Sequence, residues 1–496
     1  MSAGGVQART PSPGATVEGP VPVTAESRPF MVRRGDLDAA GFVVEEYFLA
    51  GTANVYDWGP EGTSESPVVR TPAAPYRTRM LIRRPVDPTR FSGNVWVELS
   101  NPSRAHDIEL QWCAATDKFL RDGDVHVALT IKPIAVAALQ RFDPVRYASL
   151  SMANPLPPQE QTVGSLPGEP GYDENLSKLS ENGLAWDIIS QVGLLMRSGD
   201  HAGSLRGYDV RHVFATGVSQ TGFFLNTWTA NFSGPAAAAA GGPVYDGVVA
   251  FIGAGKTVPI NQALAATGPD DPRSALPAGH VPFIRADSQS EPFTLDGYRT
   301  RRPDSDDPAD PYRLYEYAGT SHGWSDIYNH QAPLADVLAA GAAPLTFATC
   351  AEHTWNSLPR QYLEPAVLAN MERWVADGLA PPRQAEPLRI LEPGTPRARF
   401  ETDEHGNVLG GVRTPYVDVP TRTYHDRATD SSPRDLGRFF GHEVRFGSAV
   451  LEQLYGGHAD YVARVDAAVA EMLAQRWVEP AEAEHIRAHA RYTAIP

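Results

Sequence analysis

The run Val213-Phe-Ala-Thr-Gly217-Val-Ser219-Gln-Thr-Gly222-Phe-Phe-Leu225 joins one hydroxyl to the backbone freedom needed to expose it. An apolar strand enters a tight turn, glycines stand on both sides of a serine, and an apolar helix leaves. A turn of this kind lifts the Ser219 hydroxyl above the end of a sheet. The helix start adds positive potential and the backbone N–H of Gln220, which suit a developing oxyanion. The glycines are needed because a Cβ would collide in so crowded a turn. A second serine, Ser321, lies in Gly319-Thr-Ser-His-Gly323, the literal G-x-S-x-G match. The segment after it, from Trp324 to His330, lacks the long apolar helix that such a turn feeds. Ser219 is therefore the expected nucleophile.

A serine hydroxyl is a poor nucleophile without a base, and the base needs an orienting carboxylate. The strand-like run from Tyr312 to Ala318 ends in a glycine-flanked loop that presents His322. His280, His330 and His353 have no such setting, so His322 is the expected base. The strand Pro282-Phe-Ile-Arg-Ala286 precedes two carboxylates. Glu291 is the expected acid; Asp287 competes but sits at the strand end, too early to reach across to a histidine. The plain alternative is that both are solvated loop carboxylates. The oxyanion needs two donors: Gln220 N–H is one, and the turn Ser100-Asn101-Pro102-Ser103 should supply the other. Pro102 has no N–H, which leaves Asn101 or Ser103, with Asn101 the expected donor.

These groups must be carried by a scaffold that alternates strands and helices. Gly41 to Tyr56 and Tyr76 to Arg84 alternate apolar and polar residues like half-buried strands. Asn94 to Leu99, a helical pattern from Asp107 to Arg121, and Val125 to Ile131 read as a βαβ unit. Further strands are expected at 209–216, 244–252, 281–286 and 312–318, and helices at 183–197, 223–232 and 365–377. Three more helices are expected at 446–455, 461–477 and 481–492, and Ala236 to Ala240 reads as helix or loop filler. From Lys132 to Glu181 prolines accumulate and periodicity fades, as in a binding loop or lid. A second loop-like stretch, about 380–433, carries Pro393-Gly394, Gly406-Asn407 and Gly410-Gly411. Residues 1–30 read as a disordered tail and 31–496 as one domain, with a lid insertion at about 132–181 and a C-terminal lid and extension at about 380–496.

Composition removes several classes. The chain has 496 residues, 42% apolar and 21% charged, with 43 glycines and 44 prolines, so it is globular and loop-rich. A net charge of −16 argues against nucleic acid and anionic membrane as partners, since both need a basic face. Cys113 and Cys350 cannot form a disulfide scaffold or a thiolate metal site and read as buried thiols. His106 with Asp107, and Asp200 with His201, are adjacent rather than helix-spaced, so no metal is expected. Gly241-Gly242 and Gly253-Ala-Gly255 lack nucleotide-binding spacing, so no cofactor is expected either. No apolar run is long enough to span a membrane, and the expected address is the cytoplasm. Nothing in the sequence sets an oligomeric state.

The chain resembles the "alpha/beta hydrolase domain" family of large bacterial serine hydrolases, from about residue 40 onward. The resemblance is carried by Glu45-Glu-Tyr-Phe-Leu-Ala-Gly-Thr-Ala53, Val97-Glu-Leu-Ser-Asn-Pro-Ser103 and Glu181-Asn-Gly-Leu-Ala-Trp-Asp187. It continues through Gly217-Val-Ser-Gln-Thr-Gly222, Ala318-Gly-Thr-Ser-His322 and Asn407-Val-Leu-Gly-Gly-Val-Arg413-Thr-Pro415. It implies an α/β-hydrolase fold, with a mostly parallel central sheet flanked by helices, a lid insertion and a C-terminal extension. It also implies a triad of Ser219, His322 and Glu291. The expected activity is cleavage of a carboxylic ester or lactone of a moderately lipophilic small molecule through an acyl-enzyme. Phe142, Tyr147, Met152, Leu156, Leu166 and Tyr416 in the lid segments are expected to line the pocket, plain packing being the ordinary alternative. Acyl transfer by the same residues, or a non-catalytic binding protein on the same fold, are the competing readings.

Overall fold

A computed structural model describes residues 14–31, 37–161, 178–198, 203–323, 332–343, 354–427 and 439–496. Cys350, Leu166, His330, His353 and the Asp200–His201 pair lie outside the described residues, as does part of the insertion.

Nine strands form one sheet in the order β1-β2-β3-β5-β4-β6-β7-β8-β9. They are β1 (Thr16–Glu18), β2 (Phe42–Asp57), β3 (Val68–Pro85), β4 (Asn94–Leu99), β5 (Val125–Leu129), β6 (His212–Val218), β7 (Gly247–Phe251), β8 (Phe283–Ser288) and β9 (Tyr312–Tyr317). The first three pair antiparallel, and β3 pairs antiparallel with β5; from β5 to β9 every pairing is parallel. This is the mostly parallel sheet that the apolar strand runs implied. Parallel strands must be covered on both faces, so their residues are apolar on both sides of the pleat.

The pleat sorts side chains into two cores. Val95, Val97, Val213, Ala215, Val248, Ala250, Phe283 and Leu314 enter one, with Trp186, Phe224, Leu225 and Trp228 from the helices Ala185–Arg197 and Gln220–Asn231. Trp96, Phe214, Val249, Ile284 and Tyr315 enter the other. That second core is closed by Val367, Leu368 and Met371 of the helix Glu364–Asp377 and by the C-terminal helices His458–Ala474 and Pro480–Tyr492. Alternation along each strand thus decides which helix layer each residue supports.

Three stretches differ from the sequence expectation. Within the supposed disordered tail, Thr16–Glu18 pairs with Phe48 to Ala50, and Phe30 is buried against Phe142, with ring centroids 5.1 Å apart. Edge pairing, the Phe30 anchor and polar contacts such as Arg28 with Asp336 and Ser27 with Asp143 hold a segment whose composition has no periodicity. In the insertion, Pro133–Phe142 is a helix, with Pro133 at the start where its missing N–H costs nothing. Tyr147 and Met152 are buried in the main core, and the Tyr147 hydroxyl donates to Glu46 at 2.8 Å.

The 380–433 stretch covers the sheet edge. Val412 N–H donates to Glu316 O at 2.7 Å, and Ala318 N–H donates to Val412 O at 3.1 Å, which extends the edge beyond β9. Gly410 and Gly411 make this possible: both have positive φ, and a Cβ would stand 2.3 Å from Pro387 O or 2.4 Å from Glu316 O. Leu388, Val408, Val417 and Tyr424 then pack on Ala318 and Leu358. No helix among the described residues is long and apolar enough to cross a membrane.

Candidate active site

Ser219, Glu291 and His322 follow the C-terminal ends of β6, β8 and β9, the edge where open α/β sheets place their ligands. Ser219 has φ +57° and ψ −119°, a conformation that L-residues rarely adopt. Strain of this kind persists only where the surroundings impose it. Here Ser219 N–H donates to Phe251 O at 2.9 Å, and the Thr221 hydroxyl accepts from Val218 N–H at 3.0 Å. The glycines fit the crowding: a Cβ on Gly217 would stand 2.6 Å from Thr221 O and force a shift, and one on Gly222 would stand 3.1 Å from Phe251 O, a tight contact to which the neighbour must yield.

Ser219 Oγ lies 2.9 Å from His322 Nε2, and His322 Nδ1 lies 2.6 Å from Glu291 Oε1. Glu291 is fully buried, and its second oxygen accepts the Ser288 N–H. With Nδ1 donating to this carboxylate, Nε2 is the acceptor that faces the serine hydroxyl. The Phe439 ring stands 4.8 Å from the His322 ring.

The competing residues are engaged elsewhere. Asp287 accepts from Arg285 Nε at 2.6 Å and from Ala254 N–H at 3.1 Å, and burial pushes its carboxyl up to about 6. Ser321 donates to Gly323 O at 2.7 Å, a turn contact. His280 is paired with Asp310 at 2.9 Å.

Asn101 needs correction as an oxyanion donor. Its backbone N–H donates to Ile108 O at 2.8 Å, and its side-chain amide donates to Val218 O at 2.7 Å. Ser103 N–H, the other candidate, donates to Asn101 Oδ1 at 2.8 Å. An Asn-Pro turn offered donors in sequence, but in three dimensions it closes on itself and braces the strand that ends at Ser219. Gln220 is the first residue of its helix, and its side-chain oxygen lies 3.5 Å from Lys132 Nζ.

Sequence reasoning missed the residues that hold the histidine loop. Gly319 N–H donates to Gln289 Oε1 at 2.7 Å, Gly319 O accepts from Asn356 Nδ2 at 2.8 Å, and His322 N–H donates to Ser290 Oγ at 3.0 Å. Polar residues beside turns are too common in sequence to signal such a role.

As for metals, His106 Nδ1 contacts Arg104 O at 2.8 Å, and Asp107 accepts the Thr130 hydroxyl. Among the described residues Asp122, Asp124 and Glu372 converge, and Lys118 Nζ stands among them, 2.7 Å from both Asp124 and Glu372. A fixed ammonium there replaces the charge a cation would bring.

The family model described as alpha/beta hydrolase domain matches residues 17–488. The chain belongs to this family. The alpha/beta hydrolase match begins inside β1, so the ordered N-terminal strand is part of the family unit. Comparison with curated proteins finds no match. Among solved structures, the chain is similar to the esterase Est22 at 14% identity, over 62% of this chain and 84% of that one, with a TM-score of 0.32. It is also similar to an alpha-beta serine hydrolase homologue from Coxiella burnetii (9% identity, 54% and 91% covered, TM-score 0.27). A third is Thermogutta terrifontis esterase 2 (12% identity, 48% and 76% covered, TM-score 0.28).

Proposed function

We propose that this alpha/beta hydrolase is a serine hydrolase that cleaves a carboxylic ester or lactone of a moderately lipophilic small molecule. The observation that carries the reading is the unbroken hydrogen-bonded path from Ser219 Oγ through His322 to the buried Glu291. Ser219 Oγ attacks the carbonyl carbon while His322 Nε2 takes its proton. Glu291 stabilises the resulting imidazolium and keeps the ring oriented. The tetrahedral oxyanion forms beside the start of the helix at Gln220, where the N–H groups and the helix dipole favour negative charge. Collapse expels the alkoxide, which receives the proton from Nε2 and leaves an acyl-enzyme on Ser219. Water, deprotonated by the same nitrogen, then releases the acid. Phe439 beside His322 supports an apolar acyl or alcohol group, in place of the core-packed Tyr147 and Met152.

The test is labelling with a fluorophosphonate, followed by peptide mass mapping. Label is expected on Ser219 and is expected to vanish in Ser219→Ala, together with hydrolysis of p-nitrophenyl butyrate, a fall on the order of 10⁴-fold or more. Label on Ser321, or turnover retained in Ser219→Ala, would overturn the reading.

A further inference from the structure

We infer that Arg360 is a positioning residue that clamps the His322 loop from outside the sheet and ties it to the nucleophile strand. The inference rests on His322 serving as the base. Arg360 is buried, with 2% of its surface exposed, in the segment leading into the helix Glu364–Asp377. One guanidinium nitrogen donates to His322 O at 2.7 Å and to Ser321 O at 3.2 Å, while Nε donates to Glu364 Oε1 at 2.8 Å. The other Glu364 oxygen accepts from Gln111 Nε2 at 3.3 Å. Gln111 Oε1 in turn lies 3.4 Å from the hydroxyl of Thr216, three residues before Ser219 on β6. A single buried polar path therefore runs from the strand that ends at the nucleophile to the carbonyl of the base.

Two physical points give the path a role. A buried ion pair contributes little net stability relative to well-packed apolar side chains, because desolvation offsets the Coulomb gain. Its value is geometric: the rigid planar guanidinium holds two carbonyls through one nitrogen and a carboxylate through another, a spacing that a single ammonium nitrogen reproduces only in part. The His322 loop also needs external support. It is only six residues from Ala318 to Gly323, includes a positive-φ glycine at Gly319, and continues neither helix nor strand. The carbonyl of His322 itself is held by Arg360, so the ring's distance to Ser219 depends on this side chain.

The experiment compares three variants in p-nitrophenyl butyrate hydrolysis, fluorophosphonate labelling rate at Ser219, and thermal melting. In Arg360→Met/Glu364→Leu both charges go together, so melting is expected at or near the parental temperature. The turnover number and the labelling rate are expected to fall about 10- to 100-fold, with KM changed by less than about 2-fold, as misplacement of a reacting group predicts. Arg360→Lys keeps the charge beside Glu364 and is expected to recover part of the turnover. Parental turnover in the double variant would overturn the clamp, as would a loss in both variants that merely follows melting temperature. Ser219→Ala separates the two claims. If it is inactive while the double variant matches the parent, only the clamp fails; if it stays active, the underlying reading fails.

Discussion

The elbow at Ser219 and the loop at His322 solve the same problem by opposite means. The elbow draws its shape from its own neighbourhood, since Thr221 binds back to Val218 within three residues and Gly217 and Gly222 give the room this requires, with Phe251 O and the Asn101 amide as outside braces. The His322 loop is held by distant residues: Gln289 and Ser290 from the loop after β8, and Asn356 and Arg360 from beyond the sheet. The elbow stores strain in a positive φ and draws its geometry from the turn. The histidine loop has little local determination and takes its position from partners that arrive only when the chain is folded. Under the proposed function, a nucleophile that must stay put and a base that must meet it across strand ends can be built separately, provided something outside the sheet sets their distance.

The largest effect should come from breaking the distant side. Glu291→Gln is expected to lower the turnover number by about 10³- to 10⁴-fold with little change in KM, through loss of the correct histidine tautomer. Asp287→Asn is expected to act on stability instead, because Arg285 is left as a buried charge with a weakened partner. Steady-state kinetics beside thermal melting separates them, and near-normal turnover in Glu291→Gln would refute its place beside His322.

The local side should break sterically. Gly217→Ala is expected to cost about 1–3 kcal/mol, since its Cβ would overlap the Thr221 carbonyl in a site that cannot relax without moving Ser219. Chemical denaturation would read the loss, and a parental midpoint would mean that the turn is less constrained than its contacts imply.

The smallest effect concerns the loop from Ser100 to Ile108, which braces the elbow through Asn101. Burial pushes the His106 imidazole down to about 4 from its ordinary 6.5. The folded state therefore keeps it neutral where the unfolded chain would take up a proton. Its contribution to stability is complete above the unfolded value and is lost as pH falls toward the folded one. His106→Gln should flatten part of the decline in melting temperature between about pH 7 and about pH 4, and an unchanged slope would exclude the residue from that decline.

Much of the Ser219 side of the candidate site was legible because it is local. Glycines two before and three after a serine, between an apolar strand and an apolar helix, specify a turn by sterics alone, and the turn specifies an exposed hydroxyl. The apolar runs likewise marked the strands, the alternating ones as the antiparallel β2 and β3 and the continuous ones as parallel strands buried on both faces. The order of those strands was less accessible, as was the helix Pro133–Phe142, hidden within proline-rich sequence. The Asn101 turn shows the limit: its sequence offers donors, but whether an N–H faces a substrate or its own loop depends on where Ile108 and Val218 come to lie.

By itself, then, the sequence determined that Ser219 sits on a tight elbow, that a mostly parallel sheet carries it, and that His322 follows a late strand. Only the tertiary structure decided that Glu291 rather than Asp287 faces the histidine. It also decided that the Gly410-Gly411 block seals the edge of β9 and that Arg360 spans from Glu364 to the histidine loop. The physical reason is range: steric and periodic constraints act between neighbours along the chain. Hydrogen-bond partnerships among buried polar groups are settled by which strand ends and loops the sheet brings within about 3 Å of each other.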